Sequence, residues 1–263
     1  MKTALVTGAT DGVGRVVARR LGKAGWRVLV HGRNRERGEA LAKEIGNATF
    51  LQADLASLAE VRGLARAVQA ETDKLELLIN NAGIGTAGDR PGRQVSRDGH
   101  ELRFAVNYLA GFLLTRILLP LVKAAAPSRI VNVSSAGQQA IDFSDVMLER
   151  AYSGRTAYCQ SKLAQILFTV DLAQELKGSD VIVNALHPST YMNTTMVRQS
   201  GTAPISSVET GADAILQLAV SPAIEGKSGL YFNVMNEARA DSQAYDAAAR
   251  RSLRELSVKL AGL

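Results

Sequence analysis

The chain opens with the stretch Thr3-Ala4-Leu5-Val6-Thr7-Gly8-Ala9-Thr10-Asp11-Gly12-Val13-Gly14, in which a short apolar run leads into three closely spaced glycines. The apolar run indicates a buried strand, and the glycines indicate a tight turn into a helix. Glycines at such a turn let the backbone approach a pyrophosphate, whose charge the N–H groups at the helix N-terminus attract. The spacing is not G-x-G-x-x-G, so glycines needed for steric reasons alone remain an alternative.

Beyond this stretch, short apolar runs alternate with longer segments of helical period. The pattern predicts one α/β domain over residues 1–263, a Rossmann-like doubly wound fold with a seven-stranded parallel sheet and helices on both faces. Strands are predicted at 3–7, 27–31, 49–52, 75–80, 129–134, 181–186 and 230–234. Helices are predicted at 14–24, 35–45, 58–71, 99–109, 112–125, 156–177 and 207–219.

Composition excludes several other classes of protein. The net charge is +6, but basic residues are spread among nearly as many acids and aromatic residues make up only 5%, so we expect no nucleic-acid partner. The single cysteine, Cys159, excludes an internal disulfide and a cysteine-based zinc site. The three histidines, His31, His100 and His187, have no metal-binding spacing, so we predict no metal.

Location in the cell is predicted from the apolar segments. The first strand begins almost at the first residue, which leaves no room for a signal peptide or a membrane anchor ahead of it. The most apolar later stretch, 111–122, contains Arg116 and Pro120 and is too short to cross a bilayer. We therefore expect a soluble, cytoplasmic protein with no membrane partner.

The end of the second predicted strand bears on the choice of cofactor. A dinucleotide-binding fold that takes NAD presents an acid here to the ribose 2′-hydroxyl, whereas one that takes NADP presents an arginine to the 2′-phosphate. This chain reads His31-Gly32-Arg33-Asn34-Arg35. We predict that Arg33 and Asn34 contact the cofactor and that NADP(H) is preferred over NAD(H). The alternative is that Arg33 is a solvated loop residue.

Three segments resist regular assignment, namely 84–96, 136–155 and 189–206. Each follows the carboxyl end of a predicted strand, the edge of an α/β sheet at which ligands bind. We predict that they form the walls and lid of a substrate pocket, with ordinary variable loops as the alternative.

Several separated motifs, in this order, resemble the short-chain dehydrogenase/reductase family over essentially the whole chain. They are the stretch 7–14, Asp54, Asn80-Asn81-Ala82-Gly83, Asn107, Ser135 and Tyr158-Cys159-Gln160-Ser161-Lys162. The runs Asn107-Tyr108-Leu109 and 157–164, with a long stretch between Ser135 and Tyr158, resemble the branch that contains retinol dehydrogenases. Ser189 departs from the family, which usually has glycine there beside the nicotinamide.

The resemblance implies the residues of the site. Asn107, Ser135, Tyr158 and Lys162 would form the catalytic group, with Lys162 also holding the nicotinamide ribose and Asn107 supporting a water path. Asp54 would contact the adenine, and Asn81 to Gly83 would line the cofactor cleft. Together with the glycine turn, the expected cofactor contacts are Gly8, Thr10, Asp11, Gly12, Val13, Gly14, Asp54, Leu55, Asn81, Ala82, Gly83, Tyr158, Lys162, Pro188, Thr190 and Thr194.

Tyr158 and Lys162 are four residues apart on a helical segment, so both side chains emerge on one face. A free phenol has a pKa of about 10, but a nearby ammonium and an oxidised nicotinamide favour the phenolate. Tyr158 could then act as general acid and base, while Ser135 donates a hydrogen bond to the same substrate oxygen. Taken alone, such a pair is more often an exposed pair of no consequence; the ordered set of motifs favours catalysis.

We therefore predict an NADPH-dependent oxidoreductase that moves a hydride between nicotinamide and a carbonyl or alcohol carbon of a small-molecule substrate. The alternative from another class is a catalytically silent NADPH-binding sensor or scaffold. In relatives, helices such as 112–125 and 156–177 form the subunit interface, so a homodimer or homotetramer is expected.

Overall fold

The computed structural model describes residues 1–86 and 92–263, so residues 87–91 of the predicted loop 84–96 lie outside the described residues. Within the described ranges one sheet has the strand order β3-β2-β1-β4-β5-β6-β7-β8, parallel throughout except between β7 and β8. Its strands are β1 (Thr3–Val6), β2 (Arg27–Gly32), β3 (Ala48–Gln52), β4 (Leu77–Asn80), β5 (Ser128–Val133), β6 (Val181–His187), β7 (Tyr231–Asn233) and β8 (Asn236–Ala238).

Helices connect the strands. They are α1 (Gly12–Lys23), α2 (Arg35–Ile45), α3 (Leu58–Glu71), α4 (Ala110–Ala124), α5 (Gly154–Glu175), α6 (Thr195–Gln199), α7 (Val208–Val220) and α8 (Ala247–Ala261). A π-helical segment, Phe104–Leu109, runs directly into α4, and short 3-10 turns lie at Pro222–Ile224 and Ser242–Tyr245. The predicted α/β Rossmann-like fold is confirmed.

The sheet separates two apolar layers, because successive residues of a strand face opposite sides. Leu5 of β1 and Leu29 of β2 face the layer built with α3, α4 and α5. Their neighbours Val6 and Val30 face the layer built with α1 and α7. The buried strands therefore read as continuous apolar runs, and this property made them recognisable in the sequence.

Three features differ from the sequence-based expectation. An eighth, antiparallel strand follows β7 through a turn in which Val234 has a φ of 56°. Its three residues are too few for a periodic pattern to register. The predicted helices 99–109 and 112–125 form one continuous helix, since Gly111 lies inside it against the Asn80 side chain. Helix α8 was not predicted at all.

Helix α8 covers the surface that the sequence analysis assigned to a subunit interface. Arg254 of α8 donates to both carboxylate oxygens of Asp171 on α5, at 2.8 and 2.9 Å. The buried hydroxyls of Tyr108 and Ser257 lie 2.7 Å apart. Much of the apolar surface of segment 156–177 is thus buried within the chain. A homo-oligomer stays a prediction.

Candidate active site

The turn between β1 and α1 is built on glycine conformations. Gly8 and Gly12 have φ values of 65° and 53°, in the left-handed region that side chains disfavour. Asp11 caps α1, since its side chain accepts a hydrogen bond from Gly12 N at 2.8 Å. The remaining N–H groups of the first helical turn therefore face the carboxyl edge of the sheet, as an anion-binding helix N-terminus requires.

The segment after β4 is tied to this turn. The side-chain nitrogen of Asn81 donates to Thr7 O at 2.8 Å and to Gly8 O at 3.2 Å. Thr7 Oγ1 accepts hydrogen bonds from the backbone N–H groups of Asn81 and Ala82, at 3.0 and 3.1 Å. A Cβ on Gly8 would lie 2.8 Å from Ala82 Cα. The two predicted parts of the cofactor cleft are therefore held together by direct contacts.

His31 is buried beneath the glycine turn. Gly8 N–H donates to its Nδ1 at 3.2 Å, and its Nε2–H donates to Ala53 O at 3.1 Å. Burial lowers the pKa of His31 to about 4, so the ring is neutral at pH 7. The histidine thus links the glycine turn to the end of β3. Its position at the end of the second strand was the only sequence signal.

At the adenine end of the predicted cleft, the side chains of Asp54 and Asn34 already accept hydrogen bonds from backbone N–H groups. Asp54 Oδ1 accepts from Ala56 N at 3.0 Å, and its Oδ2 lies 3.9 Å from Arg97 Nη2. Asn34 caps α2 by accepting from Arg37 N at 2.8 Å, while Arg33 is exposed. The side chains of Val13 and Leu55 belong to the apolar layers, which leaves only their backbone for a ligand.

The residues predicted for catalysis meet at the carboxyl end of β5. Ser135 Oγ accepts a hydrogen bond from Gly137 N at 3.0 Å, and a Cβ on Gly137 would lie 3.6 Å from Ser135 Oγ and 3.7 Å from Tyr158 Cε1, so the two side chains meet beside Gly137. The Ser135 carbonyl accepts from Gln138 Nε2 at 3.0 Å and from the Tyr231 hydroxyl at 3.1 Å. Because Gly137 N–H occupies a lone pair of the serine oxygen, the serine proton is left to be donated. Sequence reasoning missed the supporting residues Gln138 and Tyr231.

Burial dominates the electrostatics of Tyr158. It raises the pKa of Tyr158, and the Ser135 side chain offsets part of this rise. Lys162 Nζ lies over the tyrosine ring, 5.9 Å from its centroid. The phenol is therefore protonated at neutral pH. The lowering of its pKa by the lysine together with an oxidised nicotinamide stays a prediction.

Lys162 is itself buried, with 4% of its surface exposed. Its Nζ donates to Val133 O at 2.9 Å and to Gln165 Oε1 at 3.1 Å, and burial lowers the pKa of Lys162 to about 7. Neither acceptor carries a charge, so nothing in this pair compensates the ammonium. The lysine is therefore only partly charged at neutral pH. Gln165 is another supporting residue that the sequence did not reveal.

This burial predicts a pH-dependent stability. Between pH 7 and 10 the unfolded chain keeps the proton on Lys162 while the folded chain has lost it, so folding gains stability as pH rises. We expect the free energy of unfolding to rise by about 1.4 kcal/mol per pH unit more in the wild type than in Lys162→Met. Urea titrations of both proteins at pH 7.5, 8.5 and 9.5 measure the difference. Parallel profiles would contradict a lysine pKa near 7.

Asn107 lies in the π-helical segment, and its side chain is bound on several sides. Its Oδ1 accepts from Ile84 N at 2.8 Å, and its Nδ2 donates to Ile84 O at 3.2 Å and to Ser161 Oγ at 2.9 Å. A Cβ on Gly83 would lie 3.3 Å from Asn107 Oδ1 and 3.4 Å from Lys162 Nζ. Gly83 thus lies between the cofactor cleft and the catalytic group. Both N–H groups of Asn107 Nδ2 already donate to protein atoms.

The third predicted segment, 189–206, folds over the glycine turn. A Cβ on Gly12 would lie 3.2 Å from Thr194 Cγ2, which places Thr194 against the cleft, and Pro188 is buried. Thr190 instead bonds His187 Nε2 at 3.0 Å. Ser189 Oγ donates to Ser206 Oγ at 2.9 Å, which in turn donates to Thr190 O at 2.6 Å. Ser189, which replaces the family's usual glycine, therefore connects the two ends of the predicted lid, segment 189–206, through hydrogen bonds.

We predict that Ser206→Ala loosens this lid, because the substitution removes both hydroxyl bonds at its base. Each such bond contributes about 1 kcal/mol, so the loss of both should make cleavage by trypsin after the exposed Arg198 roughly 30-fold faster. The control is Ser179→Ala, which removes a comparable bond to Leu176 O far from the lid. Equal cleavage rates in Ser206→Ala and the wild type would show that the pair does not hold the lid.

The residues present fit a dinucleotide. A Cβ on Gly14 would overlap Asn81 Nδ2 and lie 2.5 Å from Gly8 O, so the turn accepts no side chain and its backbone stays open to a pyrophosphate. The glycine turn contacts Asn81, and Gly83 lies close to Lys162. This arrangement, with the Ser135 and Tyr158 side chains close together beyond it, is that of a class of protein, the nicotinamide-dependent oxidoreductases.

Comparison with known sequences gives the family. The family described as short chain dehydrogenase matches residues 2–204, and the chain belongs to the short-chain dehydrogenase/reductase family. Retinol dehydrogenase 13 of Homo sapiens is 38% identical, covering 100% of this chain and 85% of that relative. Retinol dehydrogenase 11 of Homo sapiens is also 38% identical, covering 100% and 86%. The predicted resemblance to the retinol dehydrogenase-like branch is confirmed, and the chain is an oxidoreductase with a nicotinamide cofactor.

Solved structures agree. An uncharacterized protein from Mycobacterium Paratuberculosis has a TM-score of 0.82 at 29% identity, covering 100% of this chain and 94% of that chain. Pseudomonas aeruginosa RhlG, in an active-site complex with NADP, has a TM-score of 0.71 at 29% identity, covering 89% and 94%. A 3-ketoacyl-(acyl-carrier-protein) reductase from Brucella melitensis, complexed with NADH, has a TM-score of 0.70 at 27% identity, covering 89% and 96%.

The predicted cytoplasmic location is wrong. It rested on an apolar stretch, 111–122, that was too short to cross a bilayer. In the structure the apolar helix is Phe104–Ala124, which has 21 residues and contains an 18-residue stretch with a mean hydropathy of 1.7. By length and composition this helix is sufficient to cross a bilayer, although 67% of that stretch is buried inside the fold. The similarity to retinol dehydrogenases also argues against the predicted cytoplasmic location.

Proposed function

We propose that the protein is an NADPH-dependent oxidoreductase that interconverts an apolar carbonyl compound and its alcohol, with Tyr158 as general acid and base. The observation that carries this proposal is that the Ser135 and Tyr158 side chains meet beside Gly137, with Lys162 Nζ over the Tyr158 ring. A bound nicotinamide would supply or accept the hydride. Gly8, Gly12, Gly14 and the segment 81–83 would hold the cofactor.

The protein side chains would handle the proton. Tyr158 donates its hydroxyl proton to the substrate oxygen during reduction, and Ser135 donates a hydrogen bond to the same oxygen as charge develops there. The raised pKa of Tyr158 keeps the phenol protonated, which suits a proton donor. Two N–H groups of Lys162 are bound to Val133 O and Gln165 Oε1. When the lysine is protonated, its third N–H group is available to the cofactor near Gly83.

We infer the substrate class from the relatives. Relatives at 35–38% identity are named retinol dehydrogenases, whose named substrate is a long apolar primary alcohol. We therefore propose an apolar aldehyde or ketone, or the matching alcohol, as the substrate.

We expect Arg33→Ala to weaken NADPH binding selectively. A charge-assisted contact with the 2′-phosphate contributes about 1.5–3 kcal/mol, so the Kd for NADPH should rise roughly 10- to 100-fold while the Kd for NADH stays unchanged. Fluorescence titration of both cofactors measures this. Arg66→Ala, an exposed arginine of α3, is the matched control. An equal loss for both cofactors in Arg33→Ala would contradict the assigned role.

The proposed function is tested by following NADPH absorbance with a panel of aldehydes and ketones of increasing apolar length, including retinaldehyde. Oxidation of NADPH that depends on the carbonyl compound supports an enzyme. Tight NADPH binding without turnover of any panel member would favour the alternative, a silent sensor or scaffold. The Tyr158→Phe protein controls for turnover by a contaminating enzyme.

A further inference from the structure

Arg103 carries a buried guanidinium that the chemistry above does not use. Both Arg103 and its partner Glu101 have 1% of their surface exposed, and the charged atoms lie 3.4 Å apart. Burying a charge is costly unless it is paired and hydrogen-bonded. Here the other donors are also used, because Nε donates to Gly85 O at 2.9 Å, Nη2 to Thr86 O at 2.8 Å and Nη1 to the Tyr152 hydroxyl at 2.6 Å.

On one side the guanidinium holds the backbone that follows the cofactor cleft. Residues 84–86 have no helix or strand structure, and three successive carbonyls accept from side chains of one helix. Asn107 donates to Ile84 O, and Arg103, one turn earlier, donates to Gly85 O and Thr86 O. The position of this wall is therefore set by the helix rather than by the sheet.

On the other side the guanidinium holds the entry to α5. Tyr152 lies two residues before the first residue of α5, Gly154. A Cβ on Gly154 would overlap Thr86 O and lie 3.5 Å from Arg103 Nη2, so only glycine allows this approach. Tyr158 follows Gly154 by about one helical turn. Arg103 thus connects the wall after β4 to the helix that carries the proton donor.

We propose that Arg103 is a positioning residue for the substrate side of this active site, a role that rests on the proposed function. By holding Gly85 and Thr86 against the start of α5, it fixes the gap in which the substrate oxygen meets Tyr158. Arginine is suited to the task because its planar fork donates in several fixed directions at once. A lysine keeps the charge next to Glu101 but cannot reach all the other acceptors.

The test compares Arg103→Lys with Arg116→Lys. Arg116 is an arginine of α4 that pairs with Glu175 away from the site, so it is a matched control. We expect Arg103→Lys alone to exchange amide hydrogens faster in peptides covering 82–86 and 152–158. We also expect a KM for the carbonyl substrate raised roughly 10- to 100-fold, with the Kd for NADPH within about twofold of the wild type. Tyr152→Phe, which removes one bond only, should give an intermediate rise in KM.

The exchange measurement needs no substrate, so the two proposals fail separately. Unchanged exchange in Arg103→Lys overturns the positioning role, as does faster exchange with an unchanged KM. A wild-type protein that reduces no carbonyl compound, while Arg103→Lys still exchanges faster, overturns the proposed function and leaves the contacts of Arg103 supported. If Arg103→Lys fails to fold, Tyr152→Phe provides the same exchange and KM comparison.

Discussion

Replacing Tyr158 by phenylalanine is expected to reduce kcat for carbonyl reduction roughly 10²- to 10⁴-fold, the contribution typical of a positioned general acid. The ring stays beneath Lys162, so packing is preserved, while the hydroxyl is lost. NADPH affinity should stay within about threefold of the wild type, since the phenol contributes at most one hydrogen bond to the cofactor. Steady-state kinetics and NADPH fluorescence titration measure the two quantities.

A matched control separates the loss of the acid from the loss of any tyrosine hydroxyl. Tyr231→Phe removes a buried hydroxyl that donates to Ser135 O, close to the same site. It should lower kcat far less than Tyr158→Phe, because Gln138 still donates to that carbonyl. A Tyr158→Phe protein with near-normal turnover, or equal losses in the two variants, would rule out Tyr158 as the acid.

Gly14→Ala is expected to have the second large effect, on both stability and cofactor binding. The added methyl would overlap Asn81 Nδ2 and lie 2.5 Å from Gly8 O, so the glycine turn and the segment after β4 must separate. Forced overpacking costs about 1–3 kcal/mol in free energy of unfolding, and we expect at least about a hundredfold loss of NADPH affinity. Urea unfolding and fluorescence titration give the two values.

Gly63→Ala provides the matched control for this substitution. Gly63 is also helical, in α3, but the nearest atom to an added Cβ is Arg66 Nη2 at 3.9 Å. There the alanine should stabilise the protein by about 0.5–1 kcal/mol and leave NADPH binding unchanged. Tight NADPH binding by Gly14→Ala would show that the turn can open without cost and that its close packing has no role in the cofactor site.

The sequence alone was sufficient for the architecture. Strands buried on both faces produce continuous apolar runs such as Thr3–Val6, and helices between them produce a longer period, so the alternation predicts a doubly wound sheet. Local backbone geometry is written in the sequence in the same way. The glycines of the first turn and the spacing of Tyr158 and Lys162 were therefore recognisable before any distance was known.

Short or interrupted elements could not be recognised in this way. Strand β8 has three residues, and Gly111 interrupts a pattern that the structure continues as one apolar helix. Strand β8 pairs with the adjacent β7 in a tight hairpin, and Gly111 lies inside the helix next to the Asn80 side chain. The misjudged helix contributed to the wrong prediction of location.

The chemistry of the site was decided only by the tertiary structure. The sequence gives the spacing of Tyr158 and Lys162 but not how deeply each side chain is buried. Burial is the largest cause of both pKa shifts. The roles of His31 and Arg103 likewise depend on partners far away in the chain. The sequence therefore determined the fold, because the fold follows from local periodicity, and the resemblance to a known family supplied the set of candidate reactive groups. Burial and long-range hydrogen bonds determined their charge states and positions.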